Sequence, residues 1–169
     1  NNFGIIGDVI ANTLIVNGAN GSVTFSGNLN TTGSVSLETI NSSGLVVLQN
    51  SITTGGNVVI RNSGSFITTT NANFVITGSF SQTGSGSSYI SGNITTTLGG
   101  INFLGPVSFS GKPLFSARNT ISNPVTKADI TFQNDVNGLG GISLAATGRV
   151  LFLGNVGLLN SLSTIEIVN

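Results

Sequence analysis

The amino-acid sequence predicts an all-β fold, a parallel β-solenoid, and three observations carry that prediction. Short apolar segments alternate with period 2, a small-residue corner recurs between apolar positions, and 6% charged residues accompany 38% hydrophobic ones. An ordinary soluble domain carries roughly 25% charged residues, and a disordered chain of this kind would need more charge and fewer β-branched side chains. Val, Ile, Thr and Phe run throughout, and the mean hydropathy is +0.38. This chain folds. At 169 residues it has the length for one domain, 1–169, around a continuous core.

The strand-like quartets come in order. Residues 13–16, 22–25, 34–37, 45–48 and 57–60 are followed by 66–69, 74–77, 101–104, 129–132 and 149–152. The first five begin 9 to 12 residues apart, which fits a sandwich, a barrel or a solenoid. No stretch sustains an i, i+3, i+4 apolar stripe of good helix formers, so almost no helix is expected.

A finer signature separates the three architectures. After many quartets come a small residue, a variable residue and another apolar residue. Examples are Phe25-Ser26-Gly27-Asn28-Leu29, Ile76-Thr77-Gly78-Ser79-Phe80 and Ile90-Ser91-Gly92-Asn93-Ile94. Phe103-Leu104-Gly105-Pro106-Val107 and Phe152-Leu153-Gly154-Asn155-Val156 repeat it, and Phe132-Gln133-Asn134-Asp135-Val136 places Asn in the glycine slot. Gly and Asn share easy access to positive φ. The expected corner is therefore one left-handed residue that bends the strand while both apolar flanks point inward. Such a corner coils a chain and does not reverse it. Asn17-Gly18 and Asn137-Gly138 fit two-residue hairpin turns and leave local hairpins open. A two-sheet sandwich or jelly roll is the alternative fold.

With two or three strands per coil, a coil takes about 20 residues, giving about seven or eight coils. At about 4.8 Å per coil the rod is on the order of 35–40 Å long. Asn, Ser and Thr at outward positions and corners are expected to hydrogen-bond along it. One region breaks the rhythm. Pro106, Pro113 and Pro124, with Lys112, Arg118, Lys127, Asp129 and Asp135, fall within 105–135. Proline cannot donate to a central ladder. A lateral loop is expected around 105–128, its excursion at about 111–128, with coiling resumed at Ile130. A smaller loop is expected at 82–88.

Over 130–168 the chain reads Ile130-Thr131-Phe132, Asn134-Asp135-Val136-Asn137-Gly138 and Ile142-Ser143-Leu144-Ala145-Ala146-Thr147-Gly148. Val150-Leu151-Phe152-Leu153-Gly154-Asn155-Val156-Gly157 and Leu162-Ser163-Thr164-Ile165 follow. This last quarter resembles the degenerate β-strand repeats of large bacterial surface proteins, of the filamentous-haemagglutinin and autotransporter-passenger kind. The resemblance implies a right-handed parallel β-helix and a role in adhesion or as an extracellular fibre. It carries over no functional residue, because those families have no fixed catalytic set.

Net charge is zero, from five basic and five acidic residues. Nucleic acid and anionic membranes need clustered basic charge, so neither is an expected partner. A near-neutral surface also lacks the repulsion that keeps copies apart. No apolar run reaches the roughly 18 residues of a membrane helix, and no membrane span is expected. Cys and Met are both absent. The lack of Met predicts that Asn1 is exposed by processing or excerpting, and an extracellular or cell-surface location is expected.

Catalysis needs groups tunable near neutral pH, and His and Cys are missing. The carboxylates are Asp8, Glu38, Asp129, Asp135 and Glu166, of which only Asp129 and Asp135 are near neighbours in sequence. Lys127 and Asp129 are the one pair arguable as a polysaccharide-cleaving site, but a solvated loop edge outweighs that reading. No catalytic, cofactor-binding or metal residue is assigned, and the chain is not expected to be an enzyme. Arg61, Arg118 and Arg149 are expected to cover corners or pair locally, with polysaccharide binding the further option. Asp8 is expected to cap a turn rather than to contact a neighbouring subunit. Gly138-Leu139-Gly140-Gly141 lacks the residues of a calcium repeat or a phosphate loop. Thr68-Thr69-Thr70 and Thr95-Thr96-Thr97 are read as strand residues. Asn20, Asn30, Asn41 and Asn93 sit in glycosylation triplets.

Three function classes follow: a self-associating unit of a cell-surface fibre, filament or layer, an adhesin segment, and a carbohydrate-active enzyme in last place. Neither 1–16 nor 162–168 contains a helical or charged cap, so terminal strands are expected to pair with further copies. Surface glycans or receptors are the other candidate partners.

Overall fold

In a computed structural model, which describes residues 2–119 and 127–168, every regular element is a β-strand. Most strands are three residues long, because a corner follows as soon as two residues have been delivered inward with one outward residue between them. The first coil is β1 (Phe3–Ile5), β2 (Val9–Ala11) and β3 (Leu14–Ala19). The second is β4 (Val23–Phe25), β5 (Leu29–Thr31) and β6 (Val35–Thr39), and the third β7 (Leu45–Leu48), β8 (Ile52–Thr54) and β9 (Val58–Asn62). The fourth is β10 (Ser65–Thr68), β11 (Phe74–Ile76) and β12 (Phe80–Gln82), and the fifth β13 (Ser88–Ile90), β14 (Ile94–Thr96) and β15 (Ile101–Phe103). The sixth is β16 (Val107–Phe109), β17 (Leu114–Ala117) and β18 (Ile130–Phe132). The seventh is β19 (Val136–Gly138), β20 (Ile142–Ala146) and β21 (Val150–Phe152), and β22 (Ile165–Ile167) begins an eighth.

Inner strands pair with the third strand before and after them, always in parallel, as in Val23↔Val46, Leu29↔Ile52 and Val35↔Val58, and β22 pairs in parallel with β20. Three sheets result. Sheet A stacks β1-β4-β7-β10-β13-β16-β19, sheet B β2-β5-β8-β11-β14-β17-β20-β22, and sheet C β3-β6-β9-β12-β15-β18-β21. The chain is a β-solenoid of about seven coils, and the sandwich alternative falls. So do the two hairpins. Asn17 and Gly18 lie inside β3, at an irregularity in its register between Val16 and Ala19, where Gly18 takes φ +64°. Asn137 and Gly138 lie inside β19, which pairs in parallel with β16.

The three sheets enclose one apolar column in which like stacks on like. Phe103, Phe132 and Phe152 occupy the same inward position in successive coils. Their rings are 5.7 and 5.0 Å apart and nearly parallel, at 10° and 12°. Phe80 meets Phe103 from below at 5.2 Å, and Phe66 and Phe74 lie beside Phe80. Each fully buried ring contributes about 2–3 kcal/mol relative to exposure. All of these but Phe152 are closed to solvent.

The corner glycines are where expected, for a different reason. Positive φ occurs, among the described residues, only at Gly18, Gly111, Gly138 and Gly157. Gly27, Gly78, Gly92, Gly105 and Gly154 turn their corners without it. A Cβ at Gly27 would fall on the backbone of Gly7, one at Gly92 on Ala72, and one at Gly105 on Gly86. Close approach between coils, not left-handed backbone, selects glycine at these corners.

The excursion is also narrower than 111–128. Residues 114–117 form β17, paired with both β14 and β20, so the sixth coil proceeds normally to Ala117. The added length lies between Ala117 and Ile130, where coiling resumes as expected, and the sixth-to-seventh step lengthens to 29 residues at Val107↔Val136. Pro124 lies outside the described residues. Pro106 and Pro113 stand at corners just before β16 and β17, where each contributes a carbonyl, to Ser88 N–H and Ser143 N–H respectively.

Candidate functional site

A repeated polar device accounts for most of the Asn, Asp and Ser at the corners. The residue just before a strand extends a side-chain oxygen to the backbone N–H one coil further on. Asp8 Oδ1 accepts from Asn28 N–H at 2.6 Å, Asn73 Oδ1 from Asn93 N–H at 3.1 Å, and Asn93 Oδ1 from Leu114 N–H at 2.8 Å. These form the corner before sheet B. Before sheet C, Ser34 Oγ accepts from Asn57 N–H and Asn57 Oδ1 from Ser79 N–H. Before sheet A, Asn2 Oδ1 accepts from Ser22 N–H and Asp135 Oδ1 from Asn155 N–H. Asp8 is therefore a structural acceptor, as the turn reading anticipated.

Inside the rod, Gln82 plugs the corner between β12 and β13. Its Nε2 donates to Asn62 Oδ1 at 2.7 Å and to the Gly84 carbonyl at 2.6 Å. Its Oε1 accepts from the N–H groups of Leu104 and Gly105 at 3.1 and 2.9 Å. The expected small loop at 82–88 is thus tied down by its own first residue. Among the described residues two buried hydroxyls, Thr39 and Ser88, lack a partner.

Lys127 and Asp129 do line one shallow groove on sheet C, together with Ser81, Asn102 and Thr131. Asp129, however, serves the corner device. Its Oδ1 takes the Arg149 N–H at 2.7 Å and its Oδ2 the Arg149 guanidinium at 3.1 Å. The backbone bond from Arg149 and then its guanidinium hold this carboxyl below the ordinary carboxylate range. A carboxylate held ionised by two donors is a poor general acid at neutral pH. Asp135 stands at the corner before sheet A and bonds Asn155, so the two sequence neighbours serve different corners.

The remaining ion pairs also bridge coils. Arg61 meets Glu38 at 3.3 Å, and Lys112 meets Glu166 at 2.7 Å. Lys112 and the Ser143 hydroxyl hold the Glu166 carboxyl below its ordinary value. Arg61 and Arg149 thus pair locally, and Arg118 follows β17, its N–H bonded to the Thr96 carbonyl. Thr68 and Thr96 are inward strand residues. Asn20, Asn30, Asn41 and Asn93 are all exposed, although Asn93 is engaged as a corner acceptor. Among the described residues no three His, Cys, Asp or Glu side chains gather as a metal site. No helix there is long and apolar enough to cross a membrane.

Two features escaped sequence reasoning. One is Gln82, which in sequence is a polar residue in a polar loop. The other is a groove of about 420 Å³ on sheet A, between coils five and seven, lined by Tyr89, Ser108, Ser110, Leu139 and Asn160. The alternation that places Tyr89 outward in β13 was its only signal. The ends of the described rod have a common character: inward residues Ile5, Val9, Leu14 and Val16 of the first coil, and Val150 and Phe152 of the seventh, are only half-buried. Comparison with protein-family models, with curated proteins and with solved structures finds no match to this chain.

Proposed function

We propose that this chain is a non-enzymatic structural unit of an extracellular, cell-surface fibre, filament or layer, lengthened by strand pairing at its open coils. One observation carries the reading: the inward apolar side chains at both ends of the described rod are only half-buried. Strands β1, β2 and β3 each pair on one side only, and so do β21 and β22. Such edges present unpaired N–H and C=O groups beside half-buried apolar side chains, a template for a further parallel coil. In the proposed fibre, a second copy stacks its own coil on these edges. A surface without net charge opposes this little. The cell-surface placement rests on the resemblance of 130–168 to surface-protein repeats.

Negative-stain electron microscopy at physiological salt and rising concentration tests the proposal. Filaments or tubes whose abundance grows with concentration are the expected result. Discrete short rods at every concentration overturn self-assembly and favour an adhesin segment instead.

A further inference from the structure

We propose that the groove on sheet A binds a neutral saccharide, with one sugar ring seated against Tyr89. Tyr89 is the only tyrosine of the chain, and it projects outward from β13 with 47% of its surface exposed. It stands one position along the stack from Ser108. Leu139, 85% exposed, adds a second large apolar side chain to the lining.

The polar groups in this groove differ from those at the corners. Corner Asn, Asp and Ser side chains accept N–H groups from the next coil. The Tyr89, Ser108 and Ser110 hydroxyls and the Asn160 carboxamide take no hydrogen bond within the described protein. Together they offer donors and acceptors beside an aromatic face. A pyranose ring has matching chemistry: an apolar C–H face on one side and hydroxyls that both donate and accept around its rim. Aromatic stacking with a few convergent polar groups is how concave sites fix a small ligand. No charged side chain lines the groove, which selects against phosphate, sulfated and carboxylated ligands. An extended peptide finds no open edge here: β13 and β16 are hydrogen-bonded on both sides, and the outer edge of β19 is taken by backbone bonds to Asn155, Gly157 and Asn160.

The groove is also preorganised. The Asn137 carboxamide accepts from the N–H groups of Leu159 and Asn160 at 2.9 and 3.4 Å. The Gly138 N–H donates to the Asn160 carbonyl at 3.2 Å. The segment carrying Asn160 is therefore fixed to β19, and little ordering is required when a ligand arrives.

The site has its own probe. With one Tyr and no Trp, intrinsic fluorescence reports Tyr89 alone. The experiment titrates the whole chain with neutral disaccharides and trisaccharides (gluco-, galacto- and N-acetylhexosamine series), with sialylated and sulfated oligosaccharides as controls. At least one neutral series is expected to change the emission saturably. Asn160→Ala and Leu139→Ser, which keep the fluorophore, are expected to weaken binding about tenfold, as is Tyr89→Ser read by calorimetry. Circular dichroism checks that each variant folds. No saturable response up to about 10 mM of any neutral sugar overturns the proposal, as does equal binding by the variants or binding of acidic sugars alone. Filaments formed by Tyr89→Ser would show that loss of sugar binding and loss of assembly are separate failures.

Discussion

The first and third coils are built on one residue pattern and end in different surroundings. Val46, Leu48, Ile52, Val58 and Ile60 of coil three are closed to solvent. Their register equivalents in coil one, Phe3, Ile5, Val9, Leu14 and Val16, are only partly covered. The side chains are equally apolar, and what differs is the coil beneath. In a solenoid, burial belongs to the neighbour as much as to the residue, because one coil alone has no second side to its core. The middle of this rod is complete, and its first coil becomes complete only against another surface.

The largest effect expected is on aromatic stacking. Phe132→Ala should cost about 3–5 kcal/mol, since the ring is packed between Phe103 and Phe152. Phe3→Ala should cost less than about 1.5 kcal/mol in dispersed chains, because Phe3 is 37% exposed and touches one ring, Phe25, at 5.7 Å. Urea unfolding of both variants measures the contrast, and assembly should narrow it. Gln82→Ala comes next, at about 2–4 kcal/mol, because it leaves the Asn62 carboxamide and the Gly105 N–H without their buried partner. Asn12→Ala, which removes only the exposed bond from Thr32, should cost under about 1 kcal/mol by the same assay.

Ser88→Ala should act in the opposite direction. Removing an unpartnered buried hydroxyl is expected to raise stability by about 1 kcal/mol, read as a higher unfolding midpoint. The smallest effect is on pH. The folded-state pKa of Glu166 is lowered, so its contribution is present above the ordinary glutamate value and fades as pH falls through the lowered one. Below about pH 4, amides of β22 should exchange faster before those of the middle coils change. Glu166→Gln should remove that step.

Much of the fold was legible because the interior is a column. The ten quartets read from alternation all contribute strands, since an inward–outward–inward triplet is what each face requires. Strands such as Leu29–Thr31 and Ile52–Thr54 were hidden. Their second inward residue is a threonine, kept inside because Thr31 and Thr54 bond each other and the Gly33 carbonyl. The corner glycines were visible but their cause was not: a sequence cannot distinguish left-handed backbone from crowding by the coil below. Prolines misplaced the start of the excursion, because a corner just before a strand tolerates Pro106 and Pro113 without needing an N–H. At the candidate sites, Lys127 and Asp129 adjoin in sequence, but Asp129's partner Arg149 is 20 residues on, visible only once the coil length is fixed. Tyr89, Leu139 and Asn160 come from three coil segments and meet only through stacking.

Hydrogen exchange followed by mass spectrometry as the protein concentration rises tests most directly whether the open coils are the assembly surfaces. Amides of 3–16 and 150–167 are predicted to gain protection in step with filament formation, while those of coils three to five stay unchanged. First-coil amides that exchange at one rate across the whole concentration range, or that are fully protected in a monomer, would contradict it.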